Sequence, residues 1–125
     1  MNNGFVDNVR IVNDDGRRSL KEIYNGDFAS RQLIELEVKA DSWLGGHYHE
    51  YEEIFYLQKG ELDYIWINVD TGERKDFKLK AGQKARIPPR TYHRAFVRAG
   101  SVIIGSTEEP FISPEKNNLP YKERK

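Results

Sequence analysis

Apolar and polar residues alternate with a period of two through most of the chain after residue 31, the pattern of strands with one face buried. From Arg31 to Val38, the side chains of Ile34, Leu36 and Val38 share a face. Asp41-Ser42 and Gly45-Gly46 then bracket a turn before His47-Tyr48-His49. Glu53, Phe55 and Leu57 fall together on the next face, and Lys59-Gly60 closes that segment. Leu62, Tyr64 and Trp66 oppose Ile65, Ile67 and Val69, a strand apolar on both sides. Asp70-Thr71-Gly72 predicts a hairpin turn, since such residues tolerate positive φ, and Phe77 and Leu79 mark the returning strand. After a turn at Lys80-Ala81-Gly82, Ala85 and Ile87 lead to a rigid Pro88-Pro89 corner. His93, Ala95 and Val97 share the following face, and Ala99-Gly100 turns into a short apolar strand from Ser101 to Gly105. Short strands between turn signals, with no useful stretch of helical period, predict an all-β sandwich or barrel. Pro110, Pro114 and Pro120 predict an extended, irregular tail packed along the barrel or against a partner. The first dozen residues predict a further strand covering a sheet edge.

Composition narrows the function more than the fold. A chain of 125 residues supports one domain with a real core. Its 20 basic residues balance 20 acidic ones, which gives no electrostatic footprint for nucleic acid or a membrane surface. There is no cysteine, so disulfide and thiol chemistry are excluded. The N-terminal residues lack the apolar run of a signal peptide, and no stretch approaches membrane-spanning length. A cytoplasmic protein is the expectation.

The chemistry concentrates in the histidines. The chain has three, His47, His49 and His93. If His47 and His49 lie in one extended strand they point the same way, about 7 Å apart, and Glu53 shares their parity. Phe55 and Leu57 on that face argue that Glu53 is inward, where a carboxylate needs a cation or strong donors. Glu50 and Glu52, of opposite parity, should face solvent. Three imidazoles and a carboxylate form a donor set for Fe, Mn, Ni, Cu or Zn. His47, His49, Glu53 and His93 are therefore the expected ligands of a divalent transition metal. Arg86 and Arg94 read as edge charges that would suit a phosphate or carboxylate if one pointed inward.

These segments resemble the paired signatures of the cupin superfamily. The first reads Gly, five residues, His-x-His, three or four residues, Glu, six residues, Gly; His47, His49, Glu53 and Gly60 fit, with Asp41 at the leading glycine. The second reads Gly, five residues, Pro-x-Gly, two residues, His, three residues, Asn. Gly82, Pro88 and His93 fit, with Arg90 and Val97 replacing the glycine and asparagine. The resemblance implies a cupin-type double-stranded β-helix, a jelly-roll β-barrel. A single domain 1–125 would then have its barrel over about 31–106, an N-terminal strand segment 1–30 and a tail 107–125. More narrowly, Asp14-Asp15-Gly16-Arg17-Arg18-Ser19-Leu20 is similar to the opening of small cupin sugar enzymes, the dTDP-sugar 3,4-ketoisomerases and dTDP-4-keto-sugar 3,5-epimerases. Arg18 and Leu44 depart from that pattern, standing where those enzymes carry a glycine and an arginine.

The resemblance implies an enzyme acting on a small oxygenated substrate, isomerising or epimerising a keto-sugar that is free or nucleotide-linked. A bound metal would polarise a carbonyl. In a metal-free version His47 or His49 would act as general base, with Tyr56 or Tyr64 donating to the enediolate. Two alternatives use the same residues: a metal-dependent dioxygenase, and a non-catalytic small-ligand-binding cupin. A barrel this small has edges to protect, so a homodimer is expected.

Overall fold

The computed structural model describes residues 5–122. Strands appear in chain order as β1 (Val6–Asn8), β2 (Arg10–Asp14), β3 (Ser19–Glu22), β4 (Gln32–Glu37), β5 (Ser42–His47) and β6 (Glu53–Lys59). They continue as β7 (Glu61–Asn68), β8 (Arg74–Lys80), β9 (Gln83–Ile87), β10 (Thr91–Val97) and β11 (Val102–Thr107). A five-stranded sheet ordered β1-β9-β6-β11-β4 faces a four-stranded sheet ordered β5-β10-β7-β8, and β2 and β3 pair with each other alone. The two larger sheets form the expected all-β jelly roll. All the pairings are antiparallel, and each inner face carries alternate residues.

The core lies between these sheets. Leu57 from one side meets Leu62, Leu79 and Val97 from the other, with Tyr64, Trp66, Ala85 and Ile87 in the same cluster. Leu57, Leu79 and Val97 have no exposed surface. β1 pairs with β9 and extends the five-stranded sheet, as its edge-covering expectation requires. The outer face of that sheet is covered by the segment after β3. Tyr24 hydrogen-bonds with Ser106, the Lys84 ammonium donates to the Ile23 carbonyl, and Arg86 reaches Asp27.

Three local features differ from the sequence expectations. The strand bearing His47 stops there, and residues 48–52 are a connection that carries the chain from the four-stranded to the five-stranded sheet. Second, β2 and β3 form a hairpin turned by Asp15-Gly16. The Asp15 carboxylate accepts from the backbone N–H groups of Arg17 and Arg18. Nearly all its residues are exposed, so no burial pattern announced it. Third, the tail contains one helical turn, α1 (Pro114–Asn117), capped by Ser113 with proline at the first position. Among the described residues no helix is long and apolar enough to cross a membrane.

Candidate metal centre

The centre is assembled from both sheets and the connection between them. β5 and β10 are neighbours, with His47 directly opposite His93. The register slips just after His93, and Gly45 lies against that irregularity at φ 81°. A Cβ at Gly45 would stand 2.7 Å from the His93 carbonyl oxygen, so a glycine lets the two histidine-bearing strands meet. Glu53 opens β6 on the opposite sheet. Its parity with His47 and His49 is a coincidence of count, because five residues of non-strand backbone intervene.

His49 stands on that connection, held from outside the barrel. Its Nδ1 lies 2.6 Å from the Asn117 carbonyl oxygen. A carbonyl can only accept, so Nδ1 carries a proton, and in the neutral ring Nε2 is left to present a lone pair. The ring stacks on Tyr51 at 4.8 Å, and the Tyr51 hydroxyl accepts from the Asn117 amide at 3.0 Å. Tyr48 and Leu119 exchange backbone hydrogen bonds, which pins the connection to the tail. His93 follows the same tautomer logic, its Nδ1 lying 3.1 Å from the Thr91 carbonyl.

The three histidines offer ligand nitrogens all within 4.8 Å of one another. Glu53 Oε1 lies 3.2 Å from His49 Nε2 and 3.3 Å from His93 Nε2. Neither approach is aligned as a hydrogen bond, so this buried oxygen has no hydrogen-bond partner. Two donors about 2.1 Å from one ion stand about 3.0–3.4 Å apart. The Glu53 contacts match that spacing for His49 and His93, and the three imidazole nitrogens form a set that could hold one ion.

A family model described as a cupin domain matches residues 33–103, more than half the chain. This chain belongs to the cupin family. Among curated proteins, no sequence matches this cupin significantly. Among solved structures, it is similar to a 3,4-ketoisomerase from Helicobacter canadensis, with TM-score 0.75 and 16% identity over 88% of this chain and 86% of the other. The sugar 3,4-ketoisomerase QdtA from Thermoanaerobacterium thermosaccharolyticum, in complex with TDP, gives TM-score 0.72 and 18% identity over 86% and 81%. A dTDP-4-dehydrorhamnose 3,5-epimerase from Bacillus anthracis gives TM-score 0.73 and 13% identity over 86% and 73%. Identities this low establish a shared fold.

The electrostatics of the cupin's centre are set by burial and by the His49–Glu53 contact. Burial, then the neighbouring His93 and His49, pushes the His47 pKa down to about 4. Burial above all lowers that of His93. Burial also opposes charging of the coupled pair His49 and Glu53. Their mutual contact outweighs it, raising the imidazole's pKa and lowering the carboxyl's. His47 and His93 are thus biased to neutral imidazoles and Glu53 to the carboxylate, forms that can bind a metal, whereas the raised pKa of His49 favours its protonated form, which cannot.

A cavity of about 180 Å³ opens beside the centre, bordered by His47, His93, Tyr64 and otherwise by apolar residues. His49 and Glu53 do not border it. Tyr64 is buried, and that burial, then the Glu53 charge, holds its hydroxyl well above its usual pKa. It therefore keeps its proton. Tyr56 is elsewhere: on β6 it has the opposite parity to Glu53, Phe55 and Leu57, so it faces away from the barrel interior. Its expected role beside the substrate is corrected on that ground.

The charged neighbours also differ from expectation. Glu50 is exposed and pairs with Arg90 at 2.8 Å, but Glu52 is not a plain surface carboxylate. It holds Arg86 at 2.6 Å on the outside of the five-stranded sheet, where Asp27 also meets it. Arg94 stacks on Trp43, 4.5 Å from the ring centroid. Neither arginine borders the cavity. Tyr51 and Asn117, which orient His49, carry no motif signal and were not foreseen.

Proposed function

We propose that this cupin is a metal-dependent enzyme that moves a proton next to a carbonyl group, isomerising or epimerising a small oxygenated substrate. His47, His49, His93 and Glu53 would hold the ion. The single observation behind this reading is the buried Glu53 Oε1, without a hydrogen-bond partner yet within 3.3 Å of two imidazole nitrogens whose far sides are already engaged. When bound, a divalent cation there supplies carbonyl polarisation and acidifies the adjacent C–H.

The chain's own groups do the rest. His47 and His93 bring the centre to the cavity wall, and the protonated Tyr64 is placed to donate to an oxygen developing negative charge. The apolar walls exclude water from that step. Fold likeness to ketoisomerases and a 3,5-epimerase supports this reaction class and makes a keto-sugar a substrate to test first. The proposal includes a homodimer, supported by exposed Ile11, Val12 and Leu20 on the β2–β3 hairpin and Leu33 on the edge strand β4.

The test has two readouts. Protein purified from metal-supplemented growth should hold close to one equivalent of a transition metal by mass spectrometry, and Glu53→Gln should lose most of it. The loaded protein should then exchange the C–H next to the carbonyl of a ketone for deuterium in D2O without consuming oxygen, with cyclohexanone and TDP-4-keto-6-deoxyglucose assayed side by side. A metal-free parent refutes the metal centre, and oxygen uptake without exchange refutes the reaction class.

A further inference from the structure

We infer that the group lodged beside the centre is uncharged and rich in hydrocarbon, so the preferred substrate is a compact ketone or enol with few hydroxyl groups. This rests on the proposed carbonyl chemistry and narrows its substrate class. Ile34, Leu36, Leu44, Phe55, Leu62 and Ile103 supply most of the wall. Only His47, His93 and Tyr64 bring polar atoms to it, and two of these belong to the metal centre.

Size and chemistry agree. At about 180 Å³ the cavity lies below the range typical of drug-sized ligand pockets. It is a little larger than an apolar cavity of about 150 Å³ that stays dry and takes benzene. One six-membered ring with a small substituent fills it. Each hydroxyl buried against these walls without a partner costs about 1–3 kcal/mol, roughly ten- to a hundredfold in affinity. A pyranose carries several, and the wall offers them little beyond the Tyr64 hydroxyl. A phosphate fares worse, because no lysine or arginine is among the described residues bordering the cavity. The two arginines best placed by sequence are committed elsewhere: Arg86 to Glu52 and Asp27, and Arg94 to stacking on Trp43. The wall reaches the surface at Ile34 on the edge strand β4, which is 44% exposed and apolar.

The experiment uses the full chain, loaded with zinc and separately stripped with a chelator. Cyclohexanone, 2-methylcyclohexanone, glucose and TDP are titrated by calorimetry and by NMR shifts of the Leu44 and Ile103 methyl groups. Both ring ketones should bind and shift those methyls, and neither glucose nor TDP should displace them. Leu44→Asn should weaken ketone binding at least tenfold, while Leu44→Met, which keeps the apolar wall, should leave it within threefold. Zinc content should match the parent in both variants. If the ketones bind the stripped protein and zinc is never retained, the substrate class stands and the metal centre falls. Failure of both ketones to bind, or their displacement by glucose or TDP, overturns the inference.

Discussion

Replacing Asn117 with alanine tests whether the C-terminal tail holds a metal ligand in place. The Asn117 carboxamide is 6% exposed and makes four hydrogen bonds. Its oxygen accepts from the backbone of Ile112 at 2.7 Å and Ser113 at 3.1 Å, and its nitrogen donates to Tyr51 at 3.0 Å and the Pro110 carbonyl at 3.1 Å. At about 1 kcal/mol net for each, the substitution removes about 4 kcal/mol from a segment whose only helix is a single turn. The expected result is local undocking of residues 110–122 with the barrel intact, since the tail forms no part of the main core cluster. Undocking takes the Asn117 carbonyl away from His49 Nδ1, and the ring loses the contact that sets its tautomer. Loss of such a partner costs metal sites roughly ten- to a hundredfold in affinity. Zinc affinity by competition with a chromophoric chelator should fall by that factor, and ¹⁵N NMR should show His49 as a mixture of tautomers. Asn117→Asp keeps the acceptor oxygen but loses both donated bonds, and should fall between parent and alanine variant. If the tail undocks, seen as loss of the Tyr121–Tyr92 ring contact, while tautomer and zinc affinity stay at parent values, the tail has no part in orienting the ligand.

Further outcomes are expected. His49→Ala should lose at least tenfold in retained metal while Glu50→Ala keeps it. Glu52→Ala should also keep metal but melt lower, because Arg86 loses its 2.6 Å partner; an empty site in Glu52→Ala with a full one in Glu53→Ala would reverse the assignment. Gly60→Ala should cost about 2–4 kcal/mol by denaturant unfolding, since φ is 96° there and a Cβ would run into the buried Ser101 side chain; parent-like stability would contradict that crowding. Metal-free protein should lose stability on acidification. Burial holds His47 at about 4 and lowers His93, against 6.5 unfolded, so the unfolded chain takes up more protons as pH falls through that window. Glu53, also lowered, adds a loss at more acid pH, and His49, raised, opposes the trend as one group against two. A melting temperature higher at pH 5 than at pH 7 would contradict this sign. Finally, light scattering at micromolar concentration should give a dimer mass, and a clean monomer would exclude the homodimer.

The strands that build the sandwich were legible where alternate residues face its interior, which writes a period of two into the sequence even on β6, where both faces are covered. Glu53, Phe55 and Leu57 on β6, and His93, Ala95 and Val97 on β10, follow it directly. The same alternation turns Tyr56 outward, so its placement was available from parity alone. The β2–β3 hairpin escaped because its apolar residues, Ile11, Val12 and Leu20, are exposed and its register slips between Ile11 and Asn13. Asn117 escaped for a different reason. Its partner Tyr51 is 66 positions away, and a polar residue in a proline-punctuated tail looks the same whether it is solvated or locked.

The centre shows why motif and parity carry different information. Parity brought Glu53 to the histidines by treating residues 47–53 as one strand, whereas the chain leaves β5 at His47 and re-enters the opposite sheet at Glu53. A motif spacing survives such a crossing, because it records which residues end near one another whatever the backbone does between them. The two departures from the glycines of the motif reinforce this. Arg90 occupies a glycine position at φ 59°, so the left-handed turn that a glycine would serve is kept by an arginine that Asp70 and Glu50 hold. Asp41 replaces the other and caps the Ala99 N–H at 2.8 Å, tying the start of β5 to the end of β10. The left-handed backbone is therefore kept at Arg90, whereas Asp41 has no positive φ and instead adds a bond between the strand ends. The segments carrying His47 and His93 are braced from outside the barrel, which leaves the inner wall beside them free to be apolar.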